Sequence, residues 1–294
     1  MQLPAHGRIV VPVLSAVGGS GRSTTAGLIA AALAPSGSGV VLDLAPRLAS
    51  PWPAWSPESA PGLASLPPHL PLTRQQVQQA AAAFPAAGGQ WAVLTDHQSW
   101  QAPVLDLPDA PAAWYQLAAI GGWQTVVADT AYPVAHDVLS ARHAGRSGTT
   151  AAWCSLPFSV PVLVAAATGS GMHALQTAVM AASAEGLPLA RMVVAVICTG
   201  DGRPPPAVRA GETMLEPRVA AVVRVPFDSQ LRAGGLREAS RLGARTLQAA
   251  AELGRAVLDS ARTSWGDPLP PAPVPAPYSP VPSDQHNLNE VAPV

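Results

Sequence analysis

Short apolar runs alternate along the chain with longer Ala- and Leu-rich stretches whose apolar positions recur at helical spacing. Residues 8–15, 39–44, 91–95, 125–129, 161–166, 192–198 and 220–225 are predicted strands. Several are Val-rich and lack polar alternation, as strands buried on both faces of a parallel sheet do. Residues 22–34, 73–83, 112–120, 172–184 and 237–262 are predicted helices. Strand–helix alternation at this spacing predicts an α/β fold: a doubly wound, mainly parallel sheet with helices on both faces. Pro12 resists the pattern, because it removes a ladder donor from the first strand.

Two segments fall outside this rhythm. Residues 46–72 hold eight prolines together with Trp52 and Trp55, and read as an irregular insertion after the second strand. From Asp267 to the end there are nine prolines, three acidic residues and no Arg. Such a composition favours extended, solvated backbone and cannot build a core. The expected organisation is a folded unit over 1–265 and a disordered Pro-rich tail over 266–294, the latter a candidate ligand for a proline-recognising partner.

Composition narrows the chemistry. Hydrophobic residues make up 48% of the 294 positions, enough for a sizeable core. A net charge of −1 gives no bulk electrostatic reason to bind nucleic acid or a membrane surface. No apolar stretch reaches the ~18–20 residues of a membrane helix. Arg8, the apolar run to Val17 and the small residues after it have the outline of a short signal peptide, but the same residues serve a better pattern described below. All seventeen basic residues are Arg. Schiff-base chemistry is thereby excluded, and so is a lysine-bearing phosphate loop. Cys154 and Cys198 fit neither a disulfide framework nor a zinc site, which makes a reducing, cytoplasmic setting the expectation. The seven histidines lack ligand spacing, and no G-x-S-x-G elbow is present.

The informative segment is Ser15-Ala16-Val17-Gly18-Gly19-Ser20-Gly21-Arg22-Ser23-Thr24-Thr25, between a Val-rich strand and an Ala/Leu-rich helix. Glycines let successive amides turn into one concavity, and the helix adds unpaired N–H groups and its positive dipole end. The standard phosphate loop reads G-x-x-x-x-G-K-[ST]. Gly21 and Ser23 fit it, whereas Ala16 replaces the first glycine and Arg22 the lysine.

The stretch from Gly18 to Thr25 resembles the deviant Walker A box, K-G-G-x-G-K-[ST]-T, of the ParA/MinD family of P-loop ATPases, which partition plasmids or position cellular machinery. Further matches follow in the same order. Val40-Val41-Leu42-Asp43-Leu44-Ala45-Pro46 is similar to the second strand and its D-x-D-P switch. Gly122 to Thr130 is similar to the strand that ends in the Walker B carboxylate, here Asp129. Val225-Pro226-Phe227-Asp228 is similar to a late "vPyD" segment. The resemblance implies ATP and Mg²⁺ as ligands and a homodimer as the working form. It places phosphate contacts on Gly18, Gly19, Gly21, Arg22, Ser23 and Thr24, magnesium on Ser23 and Asp129, and a catalytic, switch-orienting role on Asp43.

The chain departs from the family at several positions. Val17 stands at the signature lysine, Arg22 at the Walker lysine, Ala45 at the second switch carboxylate, and Cys198 or Thr199 at an adenine-reading asparagine. Phosphoryl transfer depends on positioning and charge stabilisation, and losing one such group typically costs on the order of 10²–10³ in rate. The expectation is a degenerate member with weak or absent ATP hydrolysis, acting as a positioning, partitioning, secretion- or conjugation-linked scaffold. Two alternatives stand beside it: an active ATPase using Arg22 in place of lysine, and a nucleotide-free interaction protein working through its tail. Arg237, Arg241 and Arg245, spaced i, i+4 and i+8, are expected to stack along one helix face. Since family members bind DNA without sequence preference through basic residues of the C-terminal half, the resemblance makes these three a candidate DNA site.

Overall fold

The computed structural model describes residue 3 and residues 7–45, 47–56, 60–67, 69–86 and 88–267. Eight strands form one sheet: β1 (Ile9–Ser15), β2 (Gly39–Asp43), β3 (Ala82–Ala86), β4 (Gly89–Leu94), β5 (Thr125–Pro133), β6 (Val162–Ala166), β7 (Val193–Ile197) and β8 (Ala221–Val225). Their order is β3-β4-β2-β5-β1-β6-β7-β8, parallel throughout except for β3, which runs antiparallel to β4. The helices are α1 (Arg22–Leu33), α2 (Trp52–Trp55), α3 (Arg74–Ala80), α4 (Pro111–Gly121), α5 (Val134–His143), α6 (Thr149–Cys154), α7 (Gly169–Ala184), α8 (Pro206–Leu215), α9 (Ser229–Gly234) and α10 (Ala244–Trp265).

Every residue of β1 and β2 is buried, because helices cover both sides of the sheet. Val11, Val13, Val41, Val127 and Val164 point to the face covered by α1, α10 and Trp52. Leu14, Leu163 and Val194 point to the opposite face, against α5, α7 and α8. Val10, Leu42 and Val126 share that second face with α3, α4 and α6. The doubly wound expectation therefore holds. Pro12 is tolerated because the ladder between β1 and β6 starts only at Val13, after an isolated bridge between Val10 and Ser159. The proline occupies the gap.

Three expectations need correction. The helix predicted over 73–83 stops at Ala80, and Ala82–Ala86 forms an eighth strand that alternates Ala82 and Phe84 inward. Its Pro85 is accommodated because β3 is an edge strand. The helix predicted over 237–262 begins at Ala244, after Gly243 at its N-cap. Finally, α2, α5, α6, α8 and α9 were not among the predicted helices. Among the described residues, no helix is long and apolar enough to cross a membrane. Most of the Pro-rich tail, from Pro268 onward, and Pro46, residues 57–59 and Pro68 of the insertion lie outside the described residues.

Candidate phosphate-loop site

The glycine-rich segment sits where a phosphate loop must, between the carboxyl end of β1 and the start of α1. Gly19 (φ +73°) and Gly21 (φ +92°) adopt left-handed backbone, which residues with a Cβ reach only with strain. Gly21 also lies against Ile197, which would stand 3.3 Å from an added Cβ. Around Gly18 and Gly19 there is open space. No backbone N–H from Val17 to Thr24 has an intramolecular acceptor among the described residues; the first to regain one is Thr25, which donates to the Gly21 carbonyl. Amides left in this state are satisfied by water or by an anion.

The side chains around the loop are arranged differently. Arg22 turns away from it: Nε donates to Asp129 Oδ1 at 2.6 Å and Nη1 to the Ala131 carbonyl at 3.0 Å. Asp129 is fully buried, and its other oxygen accepts the indole N–H of Trp52 at 2.8 Å. A buried carboxylate is costly unless paired and hydrogen-bonded, and here both oxygens are engaged. Trp52 comes from α2 in the Pro- and Trp-rich insertion, is itself fully buried, and packs edge-on against Trp55, Phe84 and Trp91. The C-terminal half fixes α2 in place. Trp55 fills the space over Gly235, and Arg237 Nε donates to the Ala54 carbonyl.

Asp43 is satisfied in the same way. It lies beside Asp129 in the β2–β5 register, 3% exposed. Its Oδ2 accepts the hydroxyls of Ser50 and Thr95, each at 2.5 Å, and its Oδ1 accepts the Ala45 N–H at 3.2 Å. Burial pushes its carboxyl up to about 7; the hydroxyl bonds oppose that shift, and the Asp129 charge adds to it. The Ser50 and Thr95 hydroxyls thus tie Asp43 into the fold.

The structure brings Gly18, Gly19, Gly21, Ser23, Thr24, Arg22, Asp129 and Asp43 together at one end of the sheet, in the order the resemblance implies. It does not bring together Arg237, Arg241 and Arg245, and the expected helical stripe is corrected here. Arg237 reaches back to α2, Arg241 pairs with Glu238 in a short 3₁₀ turn, and only Arg245 lies on α10. The chain break between them has a local cause. Asp228 caps α9 through Gln230 and Leu231 and holds the Gly243 N–H and the Thr246 hydroxyl with its second oxygen. Partial burial works against the ionised form of Asp228, but these four donors outweigh it and keep its carboxyl below the usual range.

Sequence reasoning missed Trp52, Ser50 and Thr95 as site residues. A buried indole N–H needs an acceptor, so a Trp in the insertion carried a signal, yet nothing in the sequence says that the acceptor is Asp129. Replacing Trp52 with Phe removes that donor and leaves Oδ2 unsatisfied, at an expected cost of ~1–3 kcal/mol. Urea denaturation reads the effect, and an unchanged midpoint would show that the bond contributes nothing.

The cavity at the loop measures about 160 Å³ and is lined by Gly19, Ser20, Gly21, Thr24 and Thr25, with Ile197 and Cys198 opposite. Cys198, Pro226, Phe227 and Asp228 separate it from a larger cavity of about 620 Å³ that also contains Arg224, Arg241 and Arg245. Arg224 is held there by a two-pronged pair with Glu212, and burial raises the Cys198 thiol. Among the described residues, no cluster of three or more His, Cys, Asp or Glu side chains is disposed to hold a metal ion. The residues present do not fit Mg-ATP. The one loop cation is committed to the one carboxylate that would hold magnesium, and the loop cavity is smaller than the ~300–1,000 Å³ of typical small-molecule pockets.

No protein-family model and no curated protein matches the chain. Solved structures match it over most of its length. A ParA family ATPase from Chlorobium tepidum TLS superposes with a TM-score of 0.54 at 13% identity, covering 85% of this chain and 99% of its own. The cell division ATPase MinD of Pyrococcus furiosus gives 0.52 at 17% identity, covering 86% and 99%. The pNOB8 ParA bound to nonspecific DNA gives 0.52 at 14% identity, covering 87% and 99%. At these identities the likeness is one of architecture: this is a P-loop NTPase fold. More narrowly, it is the fold of the ParA/MinD ATPases.

Proposed function

We propose that this chain is a ParA/MinD-like positioning or partitioning scaffold, in a cytoplasmic setting, whose nucleotide site is closed by its own side chains. The observation that carries the reading is the Arg22–Asp129–Trp52 arrangement. In a working site the loop cation faces phosphate and the carboxylate faces magnesium. Here cation and carboxylate neutralise each other, and an indole takes the remaining oxygen. Val17, 44% exposed at the lip of the loop, offers an apolar contact where the family has its cross-dimer lysine, which supports a dimer held by packing rather than by nucleotide. Non-specific DNA binding of the kind pNOB8 ParA shows has less support, because Arg237 and Arg241 are engaged within the fold. Secretion or conjugation would use the same scaffold with a different partner, which the Pro-rich tail is suited to recruit.

Any ligand that binds only the folded state raises its melting temperature. Mg-ATP at about 1 mM is therefore expected to leave the melt unchanged and to give no saturable heat in a calorimetric titration. Saturable Mg-ATP binding that Arg22→Ala abolishes would sink the reading in favour of a working ATPase in which Arg22 replaces the lysine.

A further inference from the structure

We infer that the outer edge of β8 pairs with the segment Pro271-Ala272-Pro273-Val274-Pro275-Ala276-Pro277 of a second copy of this chain. The inference is independent of the nucleotide-site reading.

β8 ends the sheet, and among the described residues no strand lies on its outer side. An edge of this kind presents unpaired N–H and C=O groups and takes up extended chain. The ladder shows which groups are free. The Val225 carbonyl accepts the Cys198 N–H, on the β7 side. Successive residues of a strand turn their peptide groups to opposite sides, so Val223 also faces β7, whereas Val222 and Arg224 face outward. Beside that edge, β8 and α10 enclose a cavity of about 310 Å³ whose lining includes Ala221, Val223 and Ala256.

The Pro-rich tail carries a matching pattern. Proline has no N–H, and in a sheet it is tolerated where that side faces solvent. Every second residue from Pro271 to Pro277 is proline. Extended chain here therefore has one side without donors and another, at Ala272, Val274 and Ala276, that keeps them all. Laid parallel to β8 with Val274 opposite Val223, the segment meets the edge group for group. Val222 N–H donates to the Ala272 carbonyl and Arg224 N–H to the Val274 carbonyl. In return, the Val274 and Ala276 N–H groups donate to the Val222 and Arg224 carbonyls. Opposite residues share a face, so the Ala, Val and Ala side chains turn toward the cavity between β8 and α10. Glu252, Arg255 and Asp259 of α10 also line it, and residues 268–283 bring no charge to oppose them. The proline side is left outermost and ends the sheet.

Handedness assigns the segment to another copy. The connections that step toward β8 through α7 and α8 run over the face opposite α1 and α10. The connection from β1 to β2 steps the other way, over the face of α1. All of these share one hand. A parallel strand added outside β8 by the same chain would step outward over the α10 face, and so have the opposite hand, which is rare. The tail of a second copy meets no such restriction.

The test is amide hydrogen exchange of the full chain, followed at Val222 and Arg224 over a range of protein concentrations. At high concentration both amides should exchange about tenfold more slowly, as when about nine edges in ten are occupied. Dilution should remove the protection. Val223 and Val225, already bonded to β7, serve as the internal reference. Ala272→Pro, Val274→Pro and Ala276→Pro together remove every donor from residues 271–277 and alter no residue of the sheet, so the protection should be lost. A synthetic peptide of residues 268–283 added to dilute protein should bring it back. Protection that survives the triple substitution overturns the inference, because something else then covers the edge. Protection that the triple substitution abolishes but dilution leaves unchanged assigns the tail to its own chain and overturns the second copy. Exchange as fast as in unpaired amides at every concentration overturns the pairing altogether. The closed-site reading stands or falls separately in each case.

Discussion

Arg22→Met is expected to destabilise the protein by about 3–5 kcal/mol, the usual cost of removing one partner from a buried ion pair. Asp129 is fully buried while the Arg22 side chain keeps 15% of its surface, so the loss falls on the carboxylate. Without the guanidinium, Asp129 retains only the Trp52 N–H. A domain near this size shifts by ~2–4 °C per kcal/mol, so a drop in melting temperature of about 10 °C is expected. Asp129→Asn in the Arg22→Met background should restore part of the loss, because a neutral amide no longer needs a cation. A double-mutant cycle isolates that coupling. Arg22→Lys should fall between the two, since one ammonium cannot reproduce the fork that reaches both Asp129 and the Ala131 carbonyl. If Arg22→Met melts with the parent protein, the pair is not holding the site shut, and the proposed loss of nucleotide binding loses its basis.

That pair also marks where the sequence stops being readable. The strand positions were legible because Val-rich runs with no polar alternation have few uses other than the interior of a parallel sheet. The observed bounds of β2, β6, β7 and β8 lie within a residue or so of the predicted ones. The loop was legible from its glycines, two of which do adopt the left-handed backbone that gives them their purpose. By contrast, β3 was hidden because Ala-Ala-Phe-Pro-Ala has helical composition until it is paired with β4, and pairing is a tertiary fact. The arginine stripe failed for a related reason. Helical spacing from Arg237 to Arg245 counts only if one helix spans it, and Asp228 stops that by binding Gly243 and Thr246 from fifteen or more residues away. Asp129 and Arg22 were each identified as site residues, but their mutual contact crosses 107 positions. Composition and spacing cannot tell a cation that awaits a phosphate from one already spent on a carboxylate.

Asp43 carries the second large effect, and it reads out in pH. In the folded chain its carboxyl keeps its proton up to about pH 7, chiefly because burial disfavours the charge, whereas in the unfolded chain it loses the proton near 3.8. Between those values folding takes up a proton, so stability falls as pH rises. The full contribution is present below about pH 4 and is gone above about pH 7, a swing on the order of 4 kcal/mol at about 1.4 kcal/mol per unit. Two other groups titrate with the opposite slope. His97 is lowered mainly by burial, so folding releases its proton and stability rises with pH below its ordinary value of 6.5. Asp228, also lowered, adds stability as pH rises, in the range below its ordinary 3.8. The Asp43 contribution is therefore read as a difference. Asp43→Asn preserves the shape and can donate to the Ser50 and Thr95 oxygens that now donate to the acid. Urea denaturation from pH 4 to 8 should show the parent losing stability relative to Asp43→Asn steadily from pH 4 to about 7 and levelling off above that, with the variant equal or more stable at pH 8. Parallel curves would place the Asp43 charge in contact with water or a cation, and with it the switch would be open rather than filled by Ser50 and Thr95.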